Sequence, residues 1–214
     1  MAFADNEQEQ VEALQRWWRE HGSALLIGLG IALTGVLGWQ GWQGWQQQQA
    51  EQAALRYLAV EQAPLDDNTL AELAKPLRGE HPDSAYATFA AMRLAAAAVA
   101  AGDLEGAVAE LQWAYDHAKP SALQPLLQLR LAQLRLAQGD LEAAGALLKA
   151  DLPPPLQPLQ DELRGDWHLA QGDRVAARAA YGSALVAAPS GGQRQLLQMK
   201  FDDVADGLTA AGSN

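Results

Sequence analysis

The sequence has no cysteine, so neither a disulfide staple nor thiol chemistry is open to it. An oxidising compartment is thus allowed but not required. Basic residues are scarce as well: 15 Lys and Arg stand against 26 Asp and Glu, for a net charge of -11. That deficit disfavours nucleic acid, which needs a basic footprint, and docking on anionic lipid headgroups. The four histidines, His21, His81, His117 and His168, have no second ligand three or four residues on. No H-E-x-x-H, phosphate-cradling glycine loop or G-x-S-x-G elbow occurs. "KFDDVAD", from Lys200, lacks the alternating oxygen ligands and the glycine of a calcium loop. Neither a metal nor a cofactor is expected, and catalysis has no visible home.

Charge is missing altogether from one stretch. Between Glu20 and Glu51 there is no Asp, Glu, Lys or Arg. Ser23 to Trp42 would form about 29 Å of helix, close to the hydrocarbon thickness of a bilayer. Trp39, Trp42 and Trp45 follow in "GWQGWQGWQQQQ", and Trp18, next to Trp17, lies 21 residues before Trp39. Amphipathic indole rings collect at membrane interfaces, so the two tryptophan groups are expected at the two faces of a lipid bilayer. The leader before the span is long and acidic, and no small-x-small site follows Leu37. An uncleaved signal anchor therefore fits better than a cleaved signal peptide. Arg16 and Arg19 precede the span, while its other flank has no basic residue until Arg56. That bias places the N-terminus in the cytoplasm and the bulk of the chain outside it. The expected layout is a short amphipathic cytoplasmic leader over 1–22, a transmembrane signal anchor over 23–45 and an exported domain over 46–214.

The exported part repeats itself. "AVAAGDLEGAVAELQWA", "LAQGDLEAAGALLKA" and "LAQGDRVAARAAYGSAL" carry Gly-Asp pairs that begin at Gly102, Gly139 and Gly172, spaced 37 and 33 residues apart. Such periods mark stacked helical hairpins, in which glycine ends one helix and aspartate caps the next. Small residues recur seven before each glycine (Ala95, Ala132, Gly165) and five after it (Ala107, Ala144, Ala177). Those are the expected helix-packing positions. The pattern resembles tetratricopeptide repeats most fully in the last unit, through Gly165, Gly172, Ala177, Tyr181, Ala184 and Pro189. The middle unit fits less well, with Asp151 at a usually small position and a rigid "PPPLQP" exit. "AEQAALRYLAVEQA" and "DNTLAELAKPLRGEHP" predict two further helices upstream. "GQRQLLQMKFDDVADGL" predicts a capping helix that buries Leu196, Leu197 and Met199 and exposes Lys200, Asp202 and Asp203. The fold class is thus all-α: one N-terminal transmembrane helix followed by a tetratricopeptide-like hairpin solenoid.

A stack of this kind offers the surface formed by the first helix of each pair. The register places Phe89, Met92, Val99, Leu126, Leu129 and Leu136 at or near it, as a candidate partner groove for extended segments. Gln133 and Asp166 stand where a basic residue would serve a carboxylate clamp, so that mode is not expected.

As a whole the sequence resembles the ancillary subunit family of the bacterial Sec translocon, the YfgM-like proteins. The likeness rests on the leader "EQEQVEALQRWWREHGSALLIG", the exit "LGWQGW", the unit "LRGDWHLAQGDRVAARAAY" and the ending "LLQMKFDDVA". It implies a single-pass protein of the bacterial inner membrane with a periplasmic helical-repeat domain. It further implies association with the SecYEG translocon and with a membrane-anchored periplasmic chaperone of the peptidyl-prolyl isomerase type, assisting emerging secreted proteins. Two other roles suit the residues: a regulatory tether acting through a leader stripe of Val11, Leu14, Trp17 and Trp18, or a scaffold for cell-envelope assembly.

Overall fold

The computed structural model describes the backbone of residues 2–65, 68–118, 121–188 and 191–211. The side chains of 2–16, 20–27, 29–31, 68, 121 and 206–211 lie outside the described residues. Among the described residues there are nine α-helices, two short 3-10 turns and no strand. Two compact units divide the chain, Met1–Glu51 and Gln52–Asn214.

The first unit is the greater part of helix α1, Ala2–Gln62. Among the described residues no helix is long and apolar enough to cross a membrane. The expected span 23–45 includes 23–27 and 29–31, whose side chains lie outside the described residues. Where side chains are described, the unit has no core of its own: Leu33, Val36, Leu37, Trp39, Trp42 and Trp45 are all exposed. The Trp39 and Trp42 rings lie 5.5 Å apart.

The second unit is a chain of hairpins. Its first pair is the end of α1 with α2 (Asn68–Glu80), closed by Ala53, Val60, Leu70, Ala74 and Leu77. Then come α3 (Ala85–Ala100) with α4 (Leu104–His117), α5 (Gln124–Ala137) with α6 (Leu141–Leu148), and α7 (Gln157–Ala170) with α8 (Arg174–Ala187). Helix α9 (Gly192–Ala211) packs on α8.

The Gly-Asp pairs make the three hairpin turns by one chemistry. Gly102, Gly139 and Gly172 have φ of 80°, 78° and 82°, a left-handed conformation that costs other residues about 1–2 kcal/mol. The next N–H reaches back to close a Schellman motif, from Asp103 to the Ala98 carbonyl, Asp140 to Arg135 and Asp173 to His168. Each aspartate then caps the following helix, accepting from the N–H of Gly106 at 2.8 Å, Ala143 at 3.1 Å and Ala176 at 2.9 Å.

The residues expected at helix crossings are all buried: Ala95, Ala107, Ala132, Ala144, Gly165 and Ala177. At Gly165 a Cβ would lie 2.3 Å from the Tyr181 ring, and at Gly145 it would lie 2.7 Å from the Trp167 ring. The middle hairpin departs from its neighbours because α6 stops at Leu148, leaving Asp151 exposed and beyond the helix. The Leu148 carbonyl that ends it and the Ala150 carbonyl beyond are satisfied from α7 instead. Gln160 donates to Leu148 and Ala150, and Arg164 donates to Leu148.

Helix α9 corrects one expectation. Leu197 and Val204 are buried and Phe201 packs beside them, whereas Leu196 is 53% and Met199 62% exposed. The apolar stripe therefore follows the i, i+4, i+7 rows from Leu197, and Leu196 and Met199 point away from it. Lys200, expected in solvent, is partly buried. Its Nζ lies 2.9 Å from Glu162 and 2.9 Å from Asp166 on α7.

Candidate functional site

The expected functional surface involves the first helices of the hairpins. Helix α5 lies close against α7 but makes no comparable approach to α3. Between α3 and α5 runs an apolar groove of about 480 Å³. On α3 it is lined by Met92, Ala95, Ala96 and Val99, which occupy rows 0, 3, 4 and 7 of one helix face. The same rows on α5 hold Arg130, Gln133, Leu134 and Ala137. Leu104 and Leu111 of α4 complete the lining.

Of the six residues expected at a groove, Met92 and Val99 line this one, and Val99 is 44% exposed. The other four lie elsewhere. Leu129 is fully buried, packed with Ala132, Leu148 and Leu163, so it is a core residue rather than a contact residue. Leu136 packs against that same cluster. Phe89 is partly buried with its ring 5.9 Å from that of Tyr57, and Leu126 is partly buried outside the groove lining. The physical reason is the direction each face looks. The 37-residue register maps Met92 onto Leu129 and Val99 onto Leu136, carrying one helix face from hairpin to hairpin. A groove between neighbours is lined by facing sides, which here differ by one residue, or about 100° of rotation.

Arg130 went unnoticed in the sequence. It is exposed at the groove, with its Nη1 donating to the Gln133 side-chain oxygen at 3.2 Å. The other basic groups nearby are committed to the fold. The Arg78 Nη1 donates to both Glu110 carboxylate oxygens, at 2.8 and 2.6 Å, and the guanidinium lies 4.4 Å above the Trp113 ring. Arg93 donates to the Ala63 carbonyl at 2.7 Å.

A second polar cluster joins α7, α8 and α9. The Tyr181 hydroxyl donates to Asp166 at 2.7 Å, and the Asp166 carboxylate also accepts from Lys200. Burial, then the bond to Asp166, pushes the Tyr181 hydroxyl far above its ordinary pKa. Burial alone would lower Lys200, but the Glu162 and Asp166 carboxylates outweigh it and hold the ammonium above its ordinary value. These are charge pairs that fasten helices. Among the described residues no group of three His, Asp or Glu side chains could hold a metal ion.

In the first unit, the tryptophans expected at membrane interfaces, Trp17, Trp18, Trp39, Trp42 and Trp45, are each about half exposed or more. Arg19 is exposed, and the Arg16 side chain lies outside the described residues.

Residues 15–206 match a family model described as a tetratricopeptide repeat-like domain. The chain is 31% identical to the ancillary SecYEG translocon subunit of Neisseria gonorrhoeae, over 95% of this chain and all of that protein. The chain belongs to this family. The ancillary SecYEG translocon subunit of Escherichia coli is 28% identical over 96% of this chain and its own full length, and that of Haemophilus influenzae is 27% identical over 95% and its full length. No solved structure matches the chain. In this ancillary-subunit family member the match takes in both the uncharged stretch and the hairpins and runs into α9.

Proposed function

We propose that this chain is a non-enzymatic, single-pass inner-membrane subunit that accompanies the Sec translocon and binds partner proteins through its periplasmic helical repeats. The observation that carries the reading is likeness over the full length of relatives named as ancillary SecYEG translocon subunits. Residues 23–45 serve as the anchor, with 1–22 in the cytoplasm and 46–214 in the periplasm. The uncharged run from His21 to Ala50 and the bias of Arg16 and Arg19 support that topology. The partners are the SecYEG channel, a membrane-anchored chaperone of the peptidyl-prolyl isomerase type, and secreted proteins as they emerge. The expected surface residues for such contacts remain Met92 and Val99 at the α3–α5 groove.

Affinity purification of the full chain from mild detergent tests the proposal. The channel subunits should be recovered with it. Recovery of an unrelated envelope complex without the channel would overturn the reading. Topology has its own check: an alkaline-phosphatase fusion after Asn214 should be active, and a cytoplasmic reporter at the same place silent.

A further inference from the structure

We propose that the α3–α5 groove receives a short, extended apolar segment of another polypeptide, and that Arg130 selects segments carrying one acidic side chain beside the apolar residues. The inference deepens the protein-binding reading above and rests on it.

Three observations lead to that occupant. The first is size. Met92 to Val99 covers about 10 Å of helix, which an extended chain spans in about three residues. A groove of about 480 Å³ falls in the range of clefts that enclose a ligand of that scale. Alternate residues of an extended segment point the same way, so two apolar side chains can enter the groove while their neighbour reaches its edge.

The second observation is the state of Arg130. Arg56, Arg78, Arg135, Arg164 and Lys200 each lie within 4 Å of a carboxylate of this chain, at distances from 2.6 to 3.6 Å. The guanidinium of Arg130 meets only the Gln133 side-chain oxygen among the described contacts, which steadies it and leaves its remaining donors at the groove. Arginine presents its donors as a planar fork that matches a carboxylate.

The third is charge. From Gln52 to Asn214 the chain has 13 Lys and Arg against 20 Asp and Glu. Yet Arg130 is the one charged residue among those lining the groove. A segment rich in acids is repelled by the unit as a whole, and one bearing a lysine is opposed at Arg130. A single acid within an apolar run satisfies both conditions.

The test uses the full chain in lipid nanodiscs and three fluorescent nonapeptides with amidated C-termini, so that only a side-chain carboxylate is read. They share an apolar core of Leu, Val and Phe and carry Glu, Gln or Lys at one adjacent position. Anisotropy titrations should give the affinity order Glu, Gln, Lys, with steps of about threefold. Arg130→Glu should invert the order, and Arg130→Lys should keep it with a narrower spread. Ala96→Trp, which fills the groove from an exposed position, should abolish binding of all three without lowering Tm. Equal affinities, an order untouched by Arg130→Glu, binding that survives Ala96→Trp, or no binding of any peptide would each overturn the proposal. A chain that still recovers the channel from detergent while failing these titrations would sink the groove assignment alone. Loss of channel recovery in the unmodified chain would sink the broader reading.

Discussion

At Gly165 a hydrogen stands where any side chain would strike the Tyr181 ring. The ring is fully buried and tied by its hydroxyl to Asp166, so it has little room to give. Gly165→Ala should therefore overpack the α7–α8 crossing and cost about 1–3 kcal/mol, read as a lower Tm. Gly79→Ala provides the contrast, because nothing lies within 4 Å of a Cβ there and the position is exposed. It should leave Tm unchanged or raise stability by about 0.5 kcal/mol. A similar loss at both glycines would show that crossing geometry is not what Gly165 supplies. Ala177→Leu, at another fully buried crossing residue, should also cost about 1–3 kcal/mol.

Helices begin and end where short chemical signals stand beside an apolar period. Each Gly-Asp pair carries its whole instruction within two residues, which is why the three turns were legible in the sequence. Replacing Asp103, Asp140 or Asp173 by alanine should remove one cap and cost about 1 kcal/mol each, measurable by thermal melts of the single variants. Asparagine at the same positions should restore most of that loss. What the sequence left unresolved was direction. Helix α5 is apolar on two sides, since Leu127 and Leu131 join the core with α3 and α4 while Leu129 and Ala132 join the core with α6 and α7. Periodicity finds such a helix but cannot tell which leucines face which neighbour. For that reason four of the six expected groove residues lie away from the groove, and nothing in the periodicity marks Arg130 as facing it. Helix α9 misled in a related way: Leu196, Leu197 and Met199 read as one apolar group, but only Leu197 shares the buried row with Val204.

For the molecule as a whole, alkaline pH probes how the terminal helix is held. The folded chain keeps the Lys200 ammonium and the Tyr181 hydroxyl protonated beyond their ordinary values. Their stabilisation is fully present below the unfolded pKa values, about 10 for both, and is lost as pH rises through the folded ones. Tm should thus hold steady from about pH 7 to 9 and fall above about pH 10. Lys200→Met should lower Tm near neutrality by leaving Glu162 and Asp166 without their cation, and its alkaline decline should be shallower. A decline as steep as that of the unmodified chain would remove Lys200 from this account. The proposed division of labour between anchor and repeats has a separate test. On the function proposed above, replacing Ser23–Trp45 with an unrelated span of equal length should preserve binding of the proposed chaperone but weaken channel recovery, and deleting residues 51–214 should do the reverse. The ammonium that bridges α9 to α7 also bears on the order of synthesis. Each hairpin packs on the one made before it, so early repeats can settle while later ones are still being translated. Lys200 arrives after the two carboxylates it neutralises. A nascent chain halted short of it would hold Glu162 and Asp166 as unrelieved like charges and leave the α8 surface bare, so the last core closes only once α9 has been made.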